Sequence, residues 1–150
     1  MKFEEVIRQR AFASPTQKAV LNVIYTAGWI QARHEQLFQE YDLTPQQYNV
    51  LRILYRHHPE PLCAGEIKEM MLDRNPDLTR LCDRLVKKNL IARQANAANR
   101  RQVLIAITSE GLSLLDTLDP QVQAAAAAHY HNLTDEEANN LSDLLDKLRG

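Results

Sequence analysis

Arg74, Asn75, Asp77, Thr79, Arg80, Arg84 and Lys87 fall within one short segment, and Asn99-Arg100-Arg101 follows soon after. Guanidinium and ammonium groups at this density suit a polyphosphate backbone, whose protein contacts come mostly from Lys and Arg. An arginine can also clamp O6 and N7 of a guanine, and an aspartate can accept from N4 of a cytosine. Two adjacent arginines on a narrow loop suit a minor groove, whose negative potential attracts them. Taken alone, the helix residues read better as a solvated face with pairs such as Arg80 with Asp83, and the two arginines could also blunt a hairpin tip. The elements that hold these residues decide between the two.

Other chemistries find little support. The chain holds four glycines and no Gly-rich phosphate loop, and it lacks a G-x-S-x-G nucleophile motif, so an enzyme is not expected. Cys63 and Cys82 fit neither a metal-ligand spacing nor a disulfide framework. His129 and His131, two apart, lie on different sides of a helix with no third ligand nearby. They and His57-His58 are read as surface residues, and no metal or other cofactor is expected.

The charge is unevenly spread. The net charge of −1 hides a stretch, 62–108, with nine Lys/Arg against five Asp/Glu, while the remainder holds nine against fourteen. Residues 110–150 alone hold two basic and eight acidic residues. Such a chain attracts polyphosphate with its middle and turns its ends to water or to protein.

Ser14-Pro15 opens a long helix as N-cap and first residue. Val20, Val23, Ala27, Ile30, His34, Leu37 and Tyr41 follow at 3-4 spacing, the seam of a helix that packs along its length. Residues 1–12 add a short helix before it. Thr44-Pro45-Gln46-Gln47 is a capping box for a helix to about Arg56, with Val50, Leu51 and Leu54 inward. Leu62-Cys63 reads as a very short strand and Ala64–Met71 as a short helix. Asn75 and Pro76 read as cap and first residue of the next helix, 76–88, three or four residues after its predecessor. Its inward face is Leu78, Leu81, Cys82 and Leu85, and Asn89 takes the left-handed position at its end.

Two helices so joined form a helix-turn-helix. Strands at 90–93 and 102–108, the second with Val103, Ile105 and Ile107 on one face, enclose a polar loop and make a wing over 90–108. Thr108-Ser109-Glu110-Gly111 starts a further helix, kinked at Pro120 and continuing to about His131. Thr134-Asp135-Glu136-Glu137 caps a last one carrying Leu141, Leu144, Leu145 and Leu148. The fold class is mainly α (α+β): a winged helix-turn-helix at 44–108, centred on 62–108, between helices at 1–43 and 109–150. The apolar stripes of the end helices exceed what one small winged unit can cover, so a homodimer is expected.

The run Leu72–Arg93, followed by Asn99–Gly111, resembles the MarR family of winged-helix regulators, and the resemblance extends over nearly the whole chain. It implies a two-fold dimer built from N- and C-terminal helices, with two winged domains reading a pseudo-palindromic operator in double-stranded DNA. In that family the wing usually reads Asp-x-Arg, its arginine entering the minor groove. Asn99 and Arg101 match those positions; Asn99 can hydrogen-bond but offers no charge to the arginine. Half-sites about one helical turn apart, ~10 bp, are expected.

Members of the family often sense small aromatic anions in a crevice between scaffold and winged domain. Trp29, Tyr48 and Arg52 supply aromatic walls and one cation for such a ligand, and packing accounts for the three equally well. The peroxide-sensing cysteine of some relatives lies near the N-terminus, where this chain has none before Cys63. The acidic start Met1-Lys2-Phe3-Glu4-Glu5 and the lack of a long apolar run point to the cytoplasm, with no membrane partner. The expectation is a repressor released from DNA by a small aromatic ligand. The alternatives are a winged helix used only for protein–protein assembly, or a DNA-binding regulator without ligand control.

Overall fold

Four hydroxyl caps decide where helices begin. Ser14 Oγ accepts the Gln17 N–H at 3.0 Å, Thr44 Oγ1 that of Gln47 at 3.1 Å, Thr108 Oγ1 that of Gly111 at 3.1 Å and Thr134 Oγ1 that of Glu137 at 3.3 Å. Each satisfies one of the N–H groups that a helix start leaves without a partner. Gln47 returns the favour by accepting the Thr44 N–H at 3.0 Å, which explains a glutamine that is buried.

A computed structural model describes residues 2–9 and 11–150. The helices are α1 (Phe3–Val6), α2 (Pro15–Gln39), α3 (Pro45–His57), α4 (Ala64–Met70), α5 (Leu78–Lys87), α6 (Ser109–Tyr130) and α7 (Asp135–Arg149). The strands are β1 (Leu62–Cys63), β2 (Ile91–Ala95) and β3 (Val103–Ile107). They form one antiparallel sheet in the order β1-β3-β2, with Ile91 opposite Ile107 and Ala95 opposite Val103. The expected helix within 1–12 is a single turn; Met1 and Arg10 lie outside the described residues.

One core unites the winged part: Val50, Leu51 and Leu54 of α3, Ile67 of α4, Leu81 and Leu85 of α5, and Ile91 and Ile105 of the sheet. Phe38 of α2 and Leu115 and Leu118 of α6 enter the same core. Beyond them the end helices bury little. Phe38 is the one fully buried residue of α2, α7 has none, and Val20, Val23, Ile24, Tyr25, Leu141, Leu144 and Leu148 are exposed. At ~1.5 Å per residue, α2 extends about 38 Å, well past the core it touches. The helix α6 runs unbroken through Pro120 to Tyr130, as expected from the helix-favouring alanines that follow.

The end of α5 follows the expected course. Asn89 sits at φ 59, the left-handed region, and donates its N–H to the Val86 carbonyl at 2.9 Å, while Leu90 donates to Leu85 at 3.0 Å. This double bond pattern with two apolar residues at its ends is a Schellman stop. Immediately beyond, Thr108 donates its N–H to the Leu90 carbonyl at 3.1 Å and its hydroxyl to the Asn89 carbonyl at 2.7 Å. Gly111, in the first turn of α6, lies against the same place: a Cβ there would overlap the Leu90 carbonyl oxygen and come within 2.6 Å of Ile107 Cγ1.

The start of α5 differs from expectation. The helix begins at Leu78, not Pro76, and its cap is Asp77, not Asn75, with Asp77 Oδ1 accepting the Arg80 N–H at 3.2 Å. Pro76 and Leu78 are both buried, and the helix does not begin until Asp77 caps it. Asn75 donates its N–H to Asp73 Oδ1 at 3.0 Å and belongs to the turn. The segment between α4 and α5 is therefore seven residues, 71–77, rather than three or four.

Gly111→Ala is expected to lower stability by about 2–3 kcal/mol, because the obstructing atom is a backbone carbonyl that accepts the Thr108 N–H and stands immediately before the paired strand β2. Urea denaturation reads this as a lower midpoint; an unchanged midpoint contradicts the close approach.

Candidate nucleic-acid interface

The helix-turn-helix buries one face of α5 through Leu78, Leu81, Cys82 and Leu85 and leaves the other to solvent. That outer face carries Thr79, Arg80, Arg84 and Lys87, preceded by Arg74, Asn75 and Asp77; all seven are exposed. Burial pushes the Cys82 thiol above its ordinary range, as fits an inert core residue.

The charges on this face are not paired off. Asp83 bonds Arg93 of β2 at 2.6 Å instead of Arg80. Lys88 reaches back to Asp42, just past the end of α2, with Oδ2 at 3.1 Å. Arg74, Arg80, Arg84, Lys87, Arg100 and Arg101 make no ion pair among the described residues. Six exposed cations on α5, the turn before it and one hairpin, with the nearby carboxylates turned to other partners or to capping, are free to meet phosphate. Asp77 is half-committed: one carboxylate oxygen caps α5, which leaves the other for a donor such as cytosine N4.

The wing tip is built from amides. Asn96 Oδ1 accepts the Ala98 N–H at 3.0 Å, and Asn96 Nδ2 donates to Gln102 Oε1 at 2.8 Å. Asn99 Oδ1 accepts the Arg101 N–H at 3.2 Å, and Gln102 donates to the Asn99 carbonyl at 2.9 Å. Asn99 thus orients Arg101 through the backbone without a charge. Val103 belongs to the face of Ile105 and Ile107 but is half exposed, because the hairpin there has left the domain body.

The expected ligand trio is not brought together. Tyr48 donates to Asp119 Oδ1 of α6 at 2.8 Å, and Arg52 bonds Asp119 Oδ2 at 2.6 Å. Tyr48 also stacks on Phe38, with ring centroids 4.5 Å apart. Burial first, and then the bond to Asp119, raise the Tyr48 hydroxyl well above its ordinary value, so it stays a donor. Both residues are spent on joining α3 to α6. Trp29 lies elsewhere, under the guanidinium of Arg33 at 3.6 Å from the ring centroid. A crevice between α2 and the winged part does exist, about 1220 Å³ in volume, but Ile30, His34, Leu43, Met71, Arg84 and Lys87 are among its walls. Sequence reading passed over Asp119 and Arg33; the Trp29–Arg33 spacing of one helical turn was the available signal for the second.

The MarR family model matches residues 43–103. The chain is 32% identical over 119 residues to the HTH-type transcriptional repressor MdtR of Bacillus subtilis (strain 168), covering 79% of this chain and 76% of the relative. The crystal structure of a MarR transcription factor from Planctomyces limnophilus is 35% identical, with TM-score 0.70 over 91% of this chain and 98% of that one. A mutant MarR from E. coli, complexed with operator DNA, has the same fold at 24% identity, with TM-score 0.75 over 99% and 98% of the two chains. Fold and relatives together define a winged helix-turn-helix transcription regulator. The chain belongs to the MarR family, whose members are DNA-binding regulators and not enzymes. Among the described residues, no helix is long and apolar enough to cross a membrane.

Asn99→Asp, which keeps the acceptor, is expected to leave hydrogen exchange at the Arg101 amide unchanged; Asn99→Ala is expected to raise it, at a cost of about 1 kcal/mol to the tip. Asp119→Ala is expected to cost about 1–2 kcal/mol in chemical denaturation, since the arginine it strands is about one-quarter exposed and partly screened. Tyr48→Phe is expected to cost about half as much, having lost one neutral donor.

Proposed function

We propose that the protein is a homodimeric repressor of a pseudo-palindromic operator, acting in the cytoplasm and released by a small aromatic anion. The observation that carries the DNA-binding part is the set of six unpaired cations on α5, the turn before it and the wing tip. In this reading α5 lies in a major groove, with Arg74, Asn75, Asp77, Thr79 and Arg80 toward base edges. Arg84 and Lys87 lie along phosphates, and Arg100 and Arg101 enter the adjacent minor groove.

Dimerisation is supported by the apolar residues that α2 and α7 leave uncovered, together with Leu133 in the loop between α6 and α7. Nothing among the described residues covers them, and in this reading a second copy does. Repression is supported by the name of the 32% identical relative. Ligand release is supported by the crevice that shares Arg84 and Lys87 with the outer face of α5: an anion bound there competes for cations that DNA requires. The three domain ranges, 1–43, 44–108 and 109–150, are then dimer helices, reading head and dimer helices.

Gel-shift titration against the DNA upstream of its own gene, at two salt concentrations, tests the reading. Steep salt dependence is expected, and Arg101→Ala should weaken binding while leaving the dimer intact by size exclusion. It should also reduce the salt slope by about one phosphate-equivalent if the arginine meets the backbone. Binding with no salt dependence favours a protein–protein assembly role instead, and loss of the dimer in Arg101→Ala overturns the placement of the wing. A thermal-shift screen of aromatic acids tests release: a stabilising acid that also lowers operator affinity is expected, and none doing so leaves a regulator without ligand control.

A further inference from the structure

The turn between α4 and α5 carries Arg74 and Asn75, yet its own backbone does little to hold it in shape. Among the described residues, 72–76 make no backbone-to-backbone hydrogen bond. Met71 and Pro76 are buried at either end, but Leu72 between them is 88% exposed, so burial does not set its place. Side chains of α3 supply the missing ties. Asn49 Oδ1 accepts the Leu72 N–H at 2.9 Å. Gln46 Nε2 donates to Asp73 Oδ2, and Asp73 Oδ1 accepts the Asn75 N–H at 3.0 Å. Gln46 and Asn49 stand three apart and so share one face of α3, which Val50, Leu51, Ile53 and Leu54 fix in the core. The Asp73 carboxylate is next in sequence to Arg74 but makes no ion pair among the described residues. With one oxygen on Gln46 and the other on the Asn75 amide, it leaves that arginine free.

We propose that Gln46 and Asn49 are positioning residues for sequence recognition, a role that rests on the reading of α5 and its preceding turn as the base-facing surface. They fix the turn before DNA arrives, so that Arg74 and Asn75 meet base edges without further ordering. A loose turn would carry the same cations, and a phosphate contact follows a long side chain through some movement. A hydrogen bond to a base edge depends on direction and is lost when its donor swings away. The two residues therefore act on the ratio of affinities for matched and unmatched DNA, not on affinity as a whole. Gln46 has the added effect of keeping the Asp73 carboxylate from turning to Arg74.

The full-length wild type is first used to enrich a duplex from a random-sequence pool. That duplex, and a scrambled one of the same length and composition, are then titrated by fluorescence anisotropy at two salt concentrations. In Asn49→Ala, affinity for the enriched duplex is expected to fall by about tenfold or more, the loss that a misplaced base contact brings. Affinity for the scrambled duplex should stay within about twofold of wild type and the salt slope should not change, because every cation remains. Asn49→Asp, which keeps the acceptor, should restore the ratio even where its charge weakens both duplexes alike. Gln46→Ala should lower the ratio by about threefold or more, and it carries the test if Asn49→Ala does not fold. Without DNA, hydrogen exchange at the Leu72 amide should rise in Asn49→Ala and not in Asn49→Asp. An equal loss on both duplexes, as a purely structural role would give, overturns the proposal. So does a ratio that Asn49→Asp fails to restore, or Leu72 exchange that Asn49→Ala leaves unaltered. A wild type that enriches no duplex defeats the operator reading and the proposal with it; a preference that the wild type and both alanine variants share undiminished defeats the proposal alone.

Discussion

The contact between Gly111 and the Leu90 carbonyl is the constraint on which the rest of the molecule depends. Within a few residues of it α5 stops, the wing starts and the long helix α6 begins. Asn89 turns the chain out of α5, Thr108 ties the two carbonyls that follow, and the same threonine hydroxyl caps α6. A side chain on residue 111 would push α6 away from that carbonyl. The direction of α6 relative to α5 is therefore fixed at backbone level, where there is no rotamer to adjust.

Two polar clasps reinforce that geometry at a distance from it. Asp119 holds Tyr48 and Arg52 of α3, and it stands immediately before Pro120, where the helix loses a hydrogen bond. The half of α6 before the proline shares the core of the winged part through Leu115 and Leu118; the half after it faces α2. Lys88 and Asp42 make the second clasp, from the last turn of α5 to the end of α2. Arg52 and Lys88 are engaged by these bonds, in contrast with the unpaired cations on the outer face of α5.

Local chemistry was legible in the residues and long-range partnership was not. Ser14, Thr44, Thr108 and Thr134 named their helices because a cap is defined by its next three residues, and Asn89 announced its turn for the same reason. The start of α5 was harder, since Asn75-Pro76 and Asp77 are both good helix openings; burial of Pro76 and Leu78, a tertiary fact, selected the second. Arg52 looked free because Asp119 is 67 residues away. Trp29 was assigned a cation from another helix when its own helix supplied Arg33 one turn on. Of the even seam running from Val20 to Tyr41, only Leu37 and Tyr41 pack against the core, while Val20 and Val23 lie open.

The helix α7, fifteen residues with nothing buried, has a consequence for how such a regulator responds to its own abundance. A helix of that length is marginal by itself in water, so it borrows stability from whatever packs on its leucines. In the proposed dimer, that loan is repaid by a second copy, and folding of the chain ends becomes linked to association. At low expression the operator-competent species then grows with the square of the chain concentration. A modest change in gene dosage translates into a steeper change in occupancy, before any ligand is involved.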